Sequence, residues 1–244
     1  MKTKRTYMNS TASVVLITVF IVFSSCLVLG ERGNGNVVRQ ERKVSSFDAI
    51  EVSGAFNIIL SQGSTQSVIV EADENLMKII KTEVEGGKLV IDQKKPIQHS
   101  TSLKVFITIT NLKTLELSGA VDVITEGRLT LPELRINGSG ASDSKFDLDV
   151  RQLDVDCSGG SKLKFRGIAT KTHMEVSGAV DLFAYDLVTE NFNLEISGAG
   201  KAQIYVNKEL NVDISGAGSV HYKGNPTKVI ENVSGAGSIK KAEE

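Results

Sequence analysis

The sequence predicts an all-β fold, a parallel β-helix in which each circuit of chain stacks on the one before. Three observations carry this. A Ser-Gly-Ala triplet, or a close variant, recurs with its Ser at 118, 139, 158, 177, 197, 215 and 234, spaced by 21, 19, 19, 20, 18 and 19 residues. Around each triplet apolar and polar residues alternate with period two, the pattern of a half-buried strand. The composition lacks Trp and has 5% aromatics, yet carries 22 Gly and only 3 Pro in 244 residues. Such regular periods mark stacked repeats, glycines mark tight turns, and a narrow aliphatic bore has no room for Trp.

Each part of the repeat has a physical role. Leu115/Leu117, Val155/Cys157, Met174/Val176, Leu194/Ile196 and Val212/Ile214 precede their triplets on one face. The polar residues Glu116, Asn137, Asp156, Glu175, Glu195, Asp213 and Asn232 face the other way, two positions before Ser. The corner itself is Ser118-Gly119, Ser139-Gly140, Ser158-Gly159, Ser177-Gly178, Ser197-Gly198, Ser215-Gly216 and Ser234-Gly235. Gly permits positive φ there, and the small neighbours leave room for a sharp bend. Inward positions resume at Val123, Leu163, Leu182, Val220 and Ile239, and polar turns such as Gly224-Asn225-Pro226 close the unit. A period this short holds two strands and two turns, which leaves no space for a helix. At ~4.8 Å per circuit, seven circuits make a rod roughly 34 Å long. A sandwich of hairpins is the rival architecture, but hairpins do not require one corner motif per period.

The first thirty residues read as an export signal. Lys2, Lys4 and Arg5 precede an apolar run from Ala12 to Phe23, the length of a signal-peptide core and short for a membrane span of ~20 residues. Ser24-Ser25-Cys26 resembles a bacterial lipobox, in which Cys26 is lipidated; Val28-Leu29-Gly30 alternatively suits ordinary cleavage before Glu31. Residues 31–46 then read as a linker, 47–112 as an irregular β cap, 113–240 as the repeat and 241–244 as a charged tail. Within the cap, Ser53-Gly54-Ala55 is a further triplet standing apart, and Glu85-Gly86-Gly87-Lys88 signals a hairpin. Asp73 heads one short helix with Leu76, Ile79 and Ile80 on one face. A cap is needed because a stack of coils exposes unpaired strand edges.

The blocks Gly33-Asn34-Gly35-Asn36-Val37 and Phe47-Asp48-Ala49-Ile50-Glu51-Val52-Ser53-Gly54-Ala55-Phe56, followed by the triplet series, resemble the auto-transporter adhesin head GIN domain family. The resemblance covers roughly residues 34–240. It implies export by Bacteroidetes or related bacteria, a right-handed β-helix similar to pectin-lyase-like folds, and a role in surface adhesion. The family has no established catalytic residues to carry over.

The remaining chemistry is sparse. A net charge of −1, from 28 basic and 29 acidic residues, gives no field for nucleic acid. The two Cys form no C-x-x-C, Cys157 reads as a small buried hydrophobe, and hydrolase-elbow, zincin and P-loop motifs are absent. His99, His173 and His221 are scattered, and no aromatic strip for sugar stacking is visible. Four positions after Ser, Asp122, Asp143, Lys162, Asp181 and Lys201 form a mixed column expected to pair its charges. Two positions before Ser, Asp156, Glu175, Glu195 and Asp213 form an acidic column that could hold Ca²⁺, which takes 6–8 oxygen ligands. The expected function is a non-catalytic exported protein of the Gram-negative outer membrane, cell surface or periplasm, in adhesion or envelope scaffolding. No cofactor is required. A polysaccharide-acting enzyme and a Ca²⁺-binding or oligomeric adhesin head are the alternatives; a host or cell-surface glycan or protein is the partner class.

Overall fold

The computed structural model describes residues 30–243. Cys26 and the rest of the expected signal lie outside them. The chain forms β1 (Glu31–Arg32), β2 (Val37–Glu41), β3 (Ala49–Gln62), β4 (Ser67–Asp73), β5 (Ile80–Glu85), β6 (Lys88–Gln93), β7 (Ile97–His99) and β8 (Leu103–Ile109). There follow β9 (Thr114–Glu126), β10 (Leu129–Gly198), β11 (Lys201–Gly216), β12 (Ser219–Lys223), β13 (Lys228–Gly235) and β14 (Ser238–Lys241). It is a parallel β-helix. β10 is an unbroken ribbon of 70 residues that winds through four of the triplets.

Burial follows the alternation read from the sequence. Leu115, Leu117, Val155, Cys157, Met174, Val176, Leu194, Ile196, Val212 and Ile214 are all buried, as are Val123, Leu163, Leu182 and Val220. Triplets lie in register: Ser118 beside Ser139, Ser197 beside Ser215, and Ser215 beside Ser234. Ser53, remote in sequence, is the neighbour of Ser118, and β3 pairs with β9 from Ala49 to Ser61. The interior still takes aromatics of moderate size. Phe146 and Phe165 stack at 5.2 Å on successive circuits, and Phe192 is fully buried.

The cap converts parallel edges into antiparallel ones. β3 is covered on its outer side by β6 and β8, both parallel to it. The hairpin β5–β6 and the antiparallel series β8–β4–β2 then complete that end. Two sequence expectations change here. The stretch 31–46 is not a plain linker, because β2 pairs with the edge of β4 and satisfies its backbone groups. The expected short helix shrinks to a single 3₁₀ turn, Glu74–Leu76. Asp73 does not cap it, because its carboxylate is already held by other donors. At the opposite end β13 is exposed throughout, with Val229, Ile230 and Val233 open to solvent, and the expected charged tail begins inside β14 at Lys241.

Candidate functional site

The triplet corners form a ladder of glycines. Gly54, Gly119, Gly140, Gly159, Gly178, Gly198, Gly216 and Gly235 all have φ between 93° and 132°. Each from Gly119 onward lies against the carbonyl oxygen of the glycine on the preceding rung, so close that a Cβ would collide with it. Close approach and positive φ together explain why this one position repeats while its neighbours vary. Ser158-Gly159-Gly160 shows the distinction, since nothing lies within 4 Å of a Cβ built on Gly160.

On the sheet leading into the corner the acidic column is real but discontinuous in its chemistry. At its N-terminal end Lys88 Nζ bridges Glu51 at 2.9 Å and Glu116 at 3.0 Å. Further along, Asp156, Glu195 and Asp213 make no ion pair with Lys or Arg among the described residues. The column and its serines line shallow grooves of about 400 and 220 Å³. Ligand atoms of Glu175 and Glu195 come together with a nitrogen of His173, whereas Asp156 and Asp213 are not in that group. His173 is isolated among the three histidines of the sequence, but it shares the position four before Ser with Asn193 and Asn211, and the three form a column of their own.

Beyond the corner the mixed column does not pair as expected. Lys162 Nζ stands 5.6 Å from the centre of the Phe183 ring and makes no ion pair among the described residues, while Asp122 accepts from the Asp143 N–H at 2.7 Å. Two and four residues further out lies a groove of about 610 Å³ that includes Lys145, Lys164, Phe183, Tyr185 and Lys223. Lys223 Nζ stands 5.0 Å from the Tyr185 ring centre. Asp147 in its wall is locked by Arg128 Nε at 2.8 Å and Arg166 Nε at 2.9 Å. Lys145 and Lys164 make no ion pair among the described residues. An aromatic surface flanked by cations therefore exists where the sequence suggested none, because its rings fall on one face of adjacent strands only once the circuits are aligned.

Cys157 has no reactive setting. It fills the space left by Gly138, whose Cβ would stand 2.9 Å from Sγ. Burial, reinforced by the neighbouring Asp156 charge, pushes its thiol up to about 11. The reactive thiolate is therefore scarce at neutral pH.

Residues 46–226 match the family described as "Putative auto-transporter adhesin, head GIN domain". The chain belongs to this family. As a GIN-domain protein it is an exported, non-catalytic protein of the adhesin type, with an outer-membrane or surface location. The polysaccharide-enzyme alternative is set aside on the same ground. Several solved structures share the GIN-domain fold. A "putative adhesin" from Bacteroides fragilis has a TM-score of 0.82 at 23% identity, covering 87% of this chain and 100% of its own. A "putative lipid binding protein" from Parabacteroides distasonis has a TM-score of 0.70 at 23% identity, covering 87% and 99%. A "putative adhesin" from Parabacteroides merdae follows at 0.65 and 21%, covering 87% and 99%. No curated protein matches.

Proposed function

We propose that the protein is a lipid-anchored adhesin head that holds an acidic polysaccharide in the groove along Lys145, Lys164, Phe183 and Tyr185. The observation that carries this reading is the pairing of ring faces with unneutralised lysines on one side of the rod. A sugar ring stacks on an aromatic face as a lysine now does, and cation–π contacts at exposed sites are worth only ~0.5–1 kcal/mol. Lys162 and Lys223 can therefore swing aside and meet the carboxylates or sulfates of the glycan. Repetition at about one circuit per ~4.8 Å suits a polymer laid across successive strands.

Hyaluronan, an acidic polysaccharide, is the probe, with neutral dextran as control, titrated against the purified full-length protein. Hyaluronan should bind, dextran should not, and Lys145→Glu with Lys164→Glu should abolish the difference. Equal binding of both polymers, or binding indifferent to the double substitution, would reject the groove.

The anchor is tested separately. The lipobox-like Ser24-Ser25-Cys26 lies within ten residues of the first described strand, so a lipid on Cys26 would leave only a short tether to the head. Cells expressing the protein should incorporate labelled palmitate into wild type and not into Cys26→Ala. Failure of the wild type to label would leave only signal-peptidase release.

A further inference from the structure

We propose that His173, Glu175 and Glu195 form a binding site for a divalent transition-metal ion of the zinc class, on the sheet leading into the corner. Among the described residues, these three side chains bring one imidazole nitrogen and two carboxylate oxygens within 4.8 Å of one another. Ligands held about 2.1 Å from one tetrahedral ion lie about 3.4 Å apart, so a closure of about 1.4 Å is required, within the reach of two exposed glutamates. His173 is half-buried and both glutamates are exposed, which leaves the side chains free to make it.

The placement follows from the repeat. His173 and Glu175 are two apart on one strand and so share its outward face. Glu195 stands on the next circuit, between Asn193 and the Ser197 corner. The Gly178 and Gly198 corners that follow the two glutamates stack on each other, which brings Glu195 beside Glu175. His173 Nε2 lies 2.9 Å from Glu175 Oε1, which aims the imidazole at the carboxylates.

What separates this cluster from ordinary surface acids is the support behind the imidazole. Asn193 Nδ2 lies 2.8 Å from His173 Nδ1, and Asn211 Nδ2 donates to Asn193 Oδ1 at 2.8 Å. The two ends of a carboxamide have nearly the same shape, so this ladder can run in either direction. As placed, Nε2 donates to Glu175, and Asn193 Nδ2 also donates to Glu195 at 3.3 Å. Turned over, Asn193 gives up that bond, its Oδ1 accepts from an Nδ1–H, and the Nε2 lone pair faces the carboxylates with the ion between them. That is the arrangement of a metal-bound histidine, whose other ring nitrogen donates to a fixed acceptor. Charge points the same way. Lys88 neutralises Glu51 and Glu116 in the same column, whereas Glu195 has no Lys or Arg partner and Glu175 has only His173.

The donor set selects the class of ion. Imidazole nitrogen with two carboxylates suits Zn²⁺ and its transition-metal neighbours, whereas Ca²⁺ seeks oxygen alone. This differs from the four-carboxylate Ca²⁺ column read from the sequence, because two members of that column stay outside the group and a nitrogen joins it. Three protein ligands on an exposed face leave at least one tetrahedral position for water or an outside ligand.

The test is calorimetric titration of Zn²⁺ into untagged full-length protein, paired with Co²⁺ absorption in the visible. One Zn²⁺ per chain is expected, with a Co²⁺ spectrum that Zn²⁺ erases. His173→Ala and Glu195→Gln should each weaken Zn²⁺ at least ~10-fold, and Asn193→Ala should do so within the ~10–100-fold range of outer-shell losses. All three positions are surface ones, so the metal-free melting temperatures should stay near wild type and exclude misfolding as the cause. Absence of Zn²⁺ binding, or binding unchanged in His173→Ala, would overturn the proposal. So would Ca²⁺ binding more tightly than Zn²⁺, which would return the acidic column to consideration.

Discussion

Gly159→Ala should destabilise the protein by about 3–5 kcal/mol, the upper range for single substitutions. Two costs combine. The residue has φ of 105°, where a side chain with a Cβ is strained. A Cβ would also press on the carbonyl oxygen of Gly140, which is backbone of the neighbouring circuit and can move only if the rung opens. Opening it weakens the hydrogen-bonded contact between circuits, on which a stacked-repeat protein depends at every step. At ~2–4 °C per kcal/mol for a domain of this size, the melting midpoint should fall by roughly 6–20 °C. Gly160→Ala is the matched control. It restores the consensus triplet, has open space for its methyl group, and should leave stability within ~1 kcal/mol, on the stabilising side if anything. Thermal unfolding followed by circular dichroism checks both. Equal midpoints for the two variants would show that contact along the ladder does not govern the corner.

The ladder was legible in the sequence because its cause is local and repeated. Every circuit needs one glycine at the same place, so the spacing of Ser118, Ser139, Ser158 and their successors discloses the period directly. Inward columns were legible for the same reason, since each strand alternates against the same bore. Structure that depends on contacts distant in sequence was not. Ser53 is the first rung, yet β4 to β8 separate it from Ser118, so the period breaks where the chain leaves the stack and returns. The pairing of β2 with β4 has no sequence signature beyond apolar residues, and Val37–Glu41 looked like a linker.

The functional surfaces fall between these cases. Phe183 and Tyr185 join the lysines, and His173 joins Glu195, only through register between circuits. The alignment by Ser contains this information, but its columns have to be read at every offset. Positions two before and four after Ser were the obvious acidic and mixed columns. The position four before, with His173, Asn193 and Asn211, carries no like-charge row and differs in residue type from rung to rung, so only the hydrogen bonds between circuits reveal it. Near-zero net charge obscured the rest, because the acidic face and the lysine-flanked groove cancel in the total while lying on different sides of the corner.

Asp73→Ala should cost about 3–5 kcal/mol and loosen the cap. Asp73 is fully buried, and its carboxylate accepts from the Gly35 N–H at 2.6 Å, the Thr101 N–H at 2.7 Å and the Thr101 hydroxyl at 3.0 Å. It thereby ties the Gly33-Asn34-Gly35-Asn36 block to the start of β8. Gly33 packs directly on the carboxylate, with no space for a Cβ. Truncation strands several buried donors at once, which is why the loss exceeds that of one hydrogen bond. Asp73→Asn preserves the shape but offers one acceptor oxygen in place of two, and should cost about half as much. The pH dependence has a definite sign. Burial pushes this carboxyl upward, but the bonds from Thr101, Gly35 and Ser102 together outweigh it and hold the group below its ordinary value. A carboxyl depressed in the folded state contributes stability that is complete well above its unfolded value of about 3.9 and is lost as pH falls through the folded value. Glu71 is likewise depressed, by the Ser102 hydroxyl first and then by Arg39, so wild type weakens in acid for two reasons. The difference between wild type and Asp73→Asn isolates the first of them. That difference in melting temperature should be largest near neutral pH and shrink steadily as pH is lowered toward 3. A constant difference across the range would mean that the folded cap does not depend on an ionised Asp73.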